Sequence, residues 1–349
     1  MNAWERIPIP PRPRILIVRL SAIGDAVLTL PVLCALRRRF PDAFLAWAAE
    51  SHAAAVLRGH ECLDELIELP RGWLKSVHHL REIRRRLKNL RFDAAVDPQS
   101  LTKSALLARL SGAKYRIGLG RPFGRELAPL LNNRVMHTTG PHVVQHMLQL
   151  LGPLGVEPGP VEFRLPAGPD AAAAGEAVLQ ATGMTGRFMA VNPGVGDLLR
   201  DWPAERYVEV VRRVRHAFEV PSLILWGTDR EQATANRIAE SVGEGCRVAP
   251  PTSLTTLTAV LRRAMFLVSH DTGPLHIAAA VGTPCVGIYG PTWPEFCGPF
   301  GPGHIVVRGR WRAPHPLKWR SAPADVMLQI PAEDVFQACV RMLKFGRDA

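Results

Sequence analysis

The sequence predicts an α/β protein built from two doubly wound parallel sheets. Three observations lead there. Short apolar runs of strand length alternate with helix-length segments along the whole chain. The connections between them are short, which suits parallel strands joined by crossover helices. A Pro- and Gly-rich stretch over residues 155–169 interrupts the alternation, which then restarts. A length of 349 residues accommodates two domains, each able to bury its own core. A hydrophobic fraction of 47% is that of a globular protein, and no apolar run nears the roughly 20 residues of a membrane helix.

Taken in order, residues 1–13 form a Pro-rich tail. Prolines stand where a signal peptide would carry its apolar core, so no export is expected. ILIVRL over 15–20 is the first strand, residues 21–25 a Gly-containing loop, and 26–40 a helix stopped by Pro41. Strands follow at 44–48 and 66–69, a long basic helix at 73–90, and a strand at 92–97. A helix over 101–110, a strand at 115–118, an irregular loop over 120–133 and a helix over 142–154 complete the first half. The second half repeats the scheme. Strands are expected at 188–192, 222–226, 266–268, 285–289 and 305–307, and helices at 171–182, 204–218, 231–242, 254–264, 275–281 and 335–345. This gives domains over 14–165 and 166–330. Residues 331–349 then form a terminal helix expected to pack back towards the first domain.

The formal net charge is +12, and the cations cluster: Arg37 to Arg39; Arg81, Arg84, Arg85, Arg86, Lys88 and Arg91; Arg212, Arg213 and Arg215; and the segment 308–320. Such a surface favours polyanions, although a single cluster alone is more often a solvated helix face. No nucleic-acid-binding motif or interleaved aromatics accompany the clusters, so nucleic acid is not expected as a partner. Six cysteines without a CxxC pair read as reduced thiols, and no metal-ligand spacing is present.

Two strand–loop–helix junctions carry the chemistry. FLVSHDTGPLHIAAAVGTPCVGIYGP, residues 266–291, reads as strand, loop, helix, strand. Asp271 or Thr272 is placed to cap the helix, Pro274 lies near its first position, and Gly273 lets a ligand approach the backbone. A helix start at the carboxyl edge of a strand offers free N–H groups and partial positive charge to an anion such as a diphosphate. Thr272 adds a hydroxyl, and His276 lies one turn in. The second junction is Ser21-Ala22-Ile23-Gly24-Asp25. Asp25 reads either as an N-cap or as a general base that takes the proton of an attacking hydroxyl.

The order Asp271-Thr272-Gly273-Pro274-Leu275-His276, then Gly282-Thr283-Pro284, then Gly290-Pro291-Thr292 resembles the donor-binding motif of the ADP-heptose:lipopolysaccharide heptosyltransferase family. Residues 20–25 resemble that family's N-terminal signature. The resemblance runs over nearly the whole chain. It implies a GT-B-type fold of two Rossmann-like domains facing a central cleft, and a transferase that inverts configuration without metal or other cofactor. It places the catalytic base on Asp25, with Gly24 letting the acceptor pass. It implies a donor site of Gly194, Gly196, Arg200, Glu231 (ribose), Thr252 (adenine side), Asp271, Thr272, Gly273 and His276. The implied donor is ADP-L-glycero-D-manno-heptose. The acceptor would be an anionic glycolipid, the lipopolysaccharide core, reached at the cytoplasmic face of the inner membrane by peripheral contact. Basic residues near strand ends, Arg71, Lys103, Arg121 and Arg125, are the acceptor candidates. His142 and His146 resemble a basic helix pattern of the family, with helix packing as the competing role.

The departures matter. Arg200 stands where the family usually has Lys, and Val195-Gly196 where a Ser or Thr usually sits beside the phosphates. The cysteine cluster common before the terminal helix is missing, and so is any Asp-x-Asp clamp for a divalent metal. The same fold and chemistry with another nucleotide-sugar donor and a cell-envelope glycan acceptor therefore stays open. A dehydrogenase is disfavoured because the first loop is not G-x-G-x-x-G. A non-catalytic basic binder is the remaining alternative.

Overall fold

The computed structural model describes residues 5–345 apart from Arg71, Ala167 and Val195. The chain divides into two compact units, with Pro166 ending the first. In the first, β1 (Arg14–Val18), β2 (Phe44–Glu50), β3 (Glu65–Leu69), β4 (Ala94–Asp97), β5 (Tyr115–Leu119) and β6 (Arg134–Met136) form one parallel sheet in the order β3-β2-β1-β4-β5-β6. In the second, β7 (Met189–Asn192), β8 (Ser222–Ile224), β9 (Cys246–Val248), β10 (Phe266–His270), β11 (Cys285–Tyr289) and β12 (Ile305–Arg308) pair in the order β12-β11-β10-β7-β8-β9, again all parallel. Read from its own first strand, each sheet has the same winding, the doubly wound order of a Rossmann fold. The architecture is α/β and of GT-B type.

Central strands are buried on both faces, which is why they read as unbroken apolar runs instead of alternating ones. Ile15 to Val18 have no exposed surface. Helix Ile23–Arg39 is buried continuously from Ala26 to Leu36. Helices nearer the surface are amphipathic. Helix Ala204–Phe218 buries Tyr207, Val210, Val211 and Val214, and leaves Arg212 exposed.

Several expectations are corrected. The edge strands β6 and β9 were not expected; three residues each, they carry too little pattern to register. The helix expected over 73–90 is broken at Ser76. A 3₁₀ turn, Trp73–Lys75, precedes helix Val77–Asn89, and the Ser76 hydroxyl accepts the His79 N–H as an N-cap. The helix expected over 142–154 ends at Gln149, and Gly152–Leu154, which contains Pro153, is a separate 3₁₀ turn. A short helix, Ala128–Leu131, sits inside the expected loop.

Helix Ala332–Phe345 lies within the second unit. Val335, Ala338, Cys339, Met342 and Leu343 fill the second core, and the helix packs on helix Ala204–Phe218, β11 and β12. Its apolar stripe is the reason, since the sheet face beside β12 needs a cover. Among the described residues no helix is long and apolar enough to cross a membrane.

Trp202 pins this arrangement. Its indole stands edge-on to Tyr207 at 4.7 Å, and its Nε1–H donates to the Ile330 carbonyl at 3.0 Å. Trp202→Ala is expected to cost about 3–5 kcal/mol through lost contact and the cavity left behind. Urea unfolding followed by circular dichroism measures it, and a loss below about 1 kcal/mol would contradict the role.

Candidate functional site

In each sheet the winding reverses at one point, between β1 and β4 and between β7 and β10. Adjacent strands there send their connections to opposite faces, which opens a crevice at the carboxyl edge. Most of the candidate residues lie in loops leaving these strands or their neighbours.

In the first unit, Asp25 is the third residue of helix Ile23–Arg39, not its cap; Ala22 holds the N-cap position. The helix begins earlier than expected, so the carboxylate lies over its own first turn. Oδ2 accepts the Ala22 N–H at 3.2 Å. Oδ1 pairs with Arg19 Nη2 at 2.7 Å. Arg19 is nearly buried at the end of β1, while the Asp25 side chain keeps 47% of its surface in solvent. The guanidinium is fixed from behind by the Pro98 carbonyl at 3.3 Å. The backbone is tied across the switch point, with Leu20 N–H donating to Gln99 Oε1 at 2.7 Å. The result is an oriented, half-exposed carboxylate with its rear face held by a buried cation.

Lys103 joins this loop. Its Nζ donates to Glu50 Oε1 at 3.2 Å and reaches Ser21 Oγ at 3.4 Å. Arg125 is exposed, and its N–H donates to the Ser100 carbonyl at the carboxyl end of β4. Its charge and that of Lys103 both act on Glu126, whose carboxyl is held low chiefly by its bond to Thr102. Arg121 is exposed in the same 120–127 loop. Arg71 lies outside the described residues. Gly24 is buried in the first helical turn, and the exposed neighbour is Ala22.

Beneath this surface lies Asp97, fully buried at the end of β4. It accepts the Ser100 N–H at 2.8 Å and an Asn132 Nδ2–H at 3.1 Å. Burial pushes its carboxyl up to about 6, against those bonds and the nearby Arg19. Gly118 makes room for this network, since a Cβ there would lie 2.1 Å from Asn132 Nδ2.

In the second unit the loops after β7, β8 and β10 bring most donor candidates together. Glu231, in the first turn of helix Asp229–Val242, folds back to accept the Gly227 N–H at 2.9 Å. Its carboxylate lies over Gly194, where a Cβ would be only 2.6 Å from Glu231 Cδ. Gly194 and Glu231 therefore meet for a steric reason. Arg200 ends the turn Leu198–Arg200, which Asp197 caps by accepting the Leu199 N–H. Its Nη1 donates to the Asp271 carbonyl at 2.6 Å and lies 3.6 Å from the Asp271 carboxylate. Arg200 Nε is buried without an acceptor among the described residues.

Asp271 does not cap helix Gly273–Ala280; Thr272 is the N-cap residue, and its side chain makes no capping bond. The Thr272 hydroxyl turns inward, accepting from Asn192 Nδ2 at 3.0 Å. The first-turn amides are left uncovered by either side chain, and Gly273 remains partly exposed. His276 is buried, with Nε2 3.2 Å from Asp271 Oδ1. Its ring is turned onto the Asp271 carboxylate and backs it. Burial alone would raise Asp271, but the bond from His276 and the charges of His276 and Arg200 outweigh it and hold the carboxyl low. His270, in β10, is fully buried; burial pushes it down to about 4 despite its contact with the Pro193 carbonyl.

Other candidates stand apart. Gly196 is exposed with open space around it, and Thr252 is half-exposed beside the Ser253 cap of helix Leu254–Arg263. His142 caps helix Val143–Gln149, and His146 is buried with its ring nitrogens at Thr138 and Gly140, so both serve packing. Val195 lies outside the described residues. Among the described residues no group of three His, Cys, Asp or Glu side chains is placed to hold a metal ion. The sequence reading missed Arg19, which pairs with Asp25, and Asn192 and Trp319, whose partners are distant in the chain.

The profile of Glycosyltransferase family 9 (heptosyltransferase) matches residues 80–321. The chain belongs to this family. It is a glycosyltransferase of the heptosyltransferase group. It is 28% identical over 302 residues to lipopolysaccharide heptosyltransferase 1 of Pseudomonas aeruginosa, covering 84% of this chain and 82% of the relative. It is similar to the Escherichia coli heptosyltransferase WaaC solved with ADP, with 27% identity, a TM-score of 0.72, and 95% and 98% of the two chains covered. A family 9 glycosyltransferase from Veillonella parvula, 22% identical, shares the fold with a TM-score of 0.84 over 97% of this chain and 99% of its own.

Asp97 makes a pH prediction. Its folded value lies above the unfolded one of 3.8, so its contribution is complete below about pH 4 and is lost as pH rises through about 6. His270 acts in the opposite sense as pH falls from 6.5 towards 4, so wild type must be compared with a variant. The stability of Asp97→Asn relative to wild type is expected to rise between pH 4 and 7, read as urea midpoints. A flat difference would show that Asp97 does not titrate there.

Proposed function

We propose that this glycosyltransferase moves heptose from ADP-L-glycero-D-manno-heptose to the inner core of a lipopolysaccharide, with inversion and without a metal. Support for the donor comes from the relatives. One is a lipopolysaccharide heptosyltransferase, and the Escherichia coli enzyme WaaC, 27% identical, has also been solved with ADP-2-deoxy-2-fluoro heptose. The observation that carries the mechanism is the Asp25 carboxylate, half-exposed at the first switch point and aimed by Arg19 and the Ala22 amide.

Asp25 takes the proton of an acceptor hydroxyl as its oxygen attacks the anomeric carbon. The new C–O bond forms opposite the bond to the diphosphate. That bond breaks, and ADP leaves with the electron pair. Positive charge for the leaving group comes from Arg200 and from the amides at Thr272 and Gly273, where helix Gly273–Ala280 starts. Asp271, backed by His276, tethers Arg200. Glu231 takes the ribose diol, with Gly194 and Gly196 lining the approach, and Thr252 lies on the adenine side. Lys103, Arg121, Arg125 and Arg71 meet acidic groups of the acceptor, with Gly24 structural beneath Ala22.

Working at the cytoplasmic face of the inner membrane requires a surface for anionic lipid. Helix Val77–Asn89 offers one: Arg81, Arg84, Arg85 and Lys88 are exposed, and the exposed Leu74 and Val77 precede them. Reversing Arg81, Arg84 and Arg85 to Glu is expected to abolish flotation with vesicles containing phosphatidylglycerol. Unchanged flotation would remove this surface from the reading.

Asp25→Asn keeps the shape at Arg19 while removing the base. Transfer is expected to fall by about 10²-fold or more, with ADP affinity within about 2-fold of wild type. Substantial remaining transfer would exclude Asp25 as the base. A panel of ADP-, UDP- and GDP-sugars tests the donor, because stabilisation by a different nucleotide would redirect it.

A further inference from the structure

We propose that Trp319 is a positioning residue for Arg200, and that the turn Pro316–Ser321 acts as a brace for the donor site. This inference rests on Arg200 meeting the donor diphosphate.

The turn is fastened to the Arg200 loop at two points. The Arg200 Cζ lies over the Trp319 ring at 5.4 Å from its centroid. Arg320 pairs with Asp197 at 3.4 Å, and Asp197 is the residue that caps the turn ending in Arg200. Arg320 also lies over Trp319, at 4.3 Å. One indole thus carries two guanidinium groups.

The geometry explains what sets the direction of Arg200. An arginine beside a solvent-reached loop has several rotatable bonds and would lose much freedom on gripping an anion. Here Asp271 holds Nη1 and Trp319 supplies a face for the planar group. A guanidinium stacks on an indole in a way an ammonium does not, so the brace is specific for arginine. The side chain is only 23% exposed, and Nε has no acceptor among the described residues, so donor capacity is left after both fastenings are made.

The brace predicts coupling between Trp319 and Arg200. ADP affinity is measured by calorimetry on the full chain for Trp319→Leu, Trp319→Phe, Arg200→Lys and the double variant Trp319→Leu/Arg200→Lys. Trp319→Leu is expected to weaken ADP binding about 3- to 30-fold, and Trp319→Phe to restore most of it. In the Arg200→Lys background, Trp319→Leu is expected to add little. A full additional loss there would show that Trp319 acts independently of Arg200 and overturns the proposal. Arg320→Gln, an exposed change with little risk to the fold, loosens the second fastening and is expected to weaken ADP about 2- to 5-fold. Unchanged affinity in both Trp319→Leu and Arg320→Gln also overturns it. Arg200→Ala separates the two readings. If that variant binds ADP normally, the donor-site assignment itself fails. If it weakens ADP while the brace variants do not, only the brace fails.

Discussion

A parallel sheet wound in both directions has one place where neighbouring strands cannot both be covered at their carboxyl ends. That constraint governs each unit here. At β1 and β4 the chain leaves in opposite directions, and so it does at β7 and β10. Backbone groups, helix starts and loop side chains collect at these points because nothing else fills them. The first collects Asp25, Arg19 and Lys103; the second collects Arg200, Glu231, Asp271 and the start of helix Gly273–Ala280.

At both points an arginine is paired with an aspartate, and the two pairs differ in burial. Arg19 is buried and Asp25 is half in water, so the anion faces outward. Asp271 is buried and Arg200 keeps 23% of its surface, so the cation does. A buried ion with one partner is expensive to strip of that partner. Each inner residue therefore fixes the direction of its outer one, and the sign of the exposed charge suits a base in one unit and an anion site in the other.

Much of the framework was legible because it rests on local pattern. Unbroken apolar runs such as Ile15 to Val18 mark central strands, and the strand–turn–helix chemistry of 266–281 marks the second switch point. What escaped depends on pairing across the chain. Three-residue edge strands have no period to detect. Asp25 read as a possible cap because the start of its helix is set by tertiary packing rather than by a capping residue. Arg19 is near Asp25 in sequence, but no helical or strand spacing pairs a strand-end residue with the third residue of the next helix, and the fold shows it behind Asp25. Trp319 lies far from Arg200 in sequence, so no spacing rule connects them. His276 was placed correctly on its helix, but its burial against Asp271 was not readable from a one-turn offset.

The terminal helix has a consequence for how the molecule is made. Helix Ala332–Phe345 supplies part of the hydrophobic interior around β11 and β12. On the ribosome, the first unit has all its strands available once residue 166 has emerged. The second must wait with an open apolar face until residues 332–345 have been synthesised. During that interval it is the half that a chaperone would recognise, and the half at which stalled or shortened chains would aggregate.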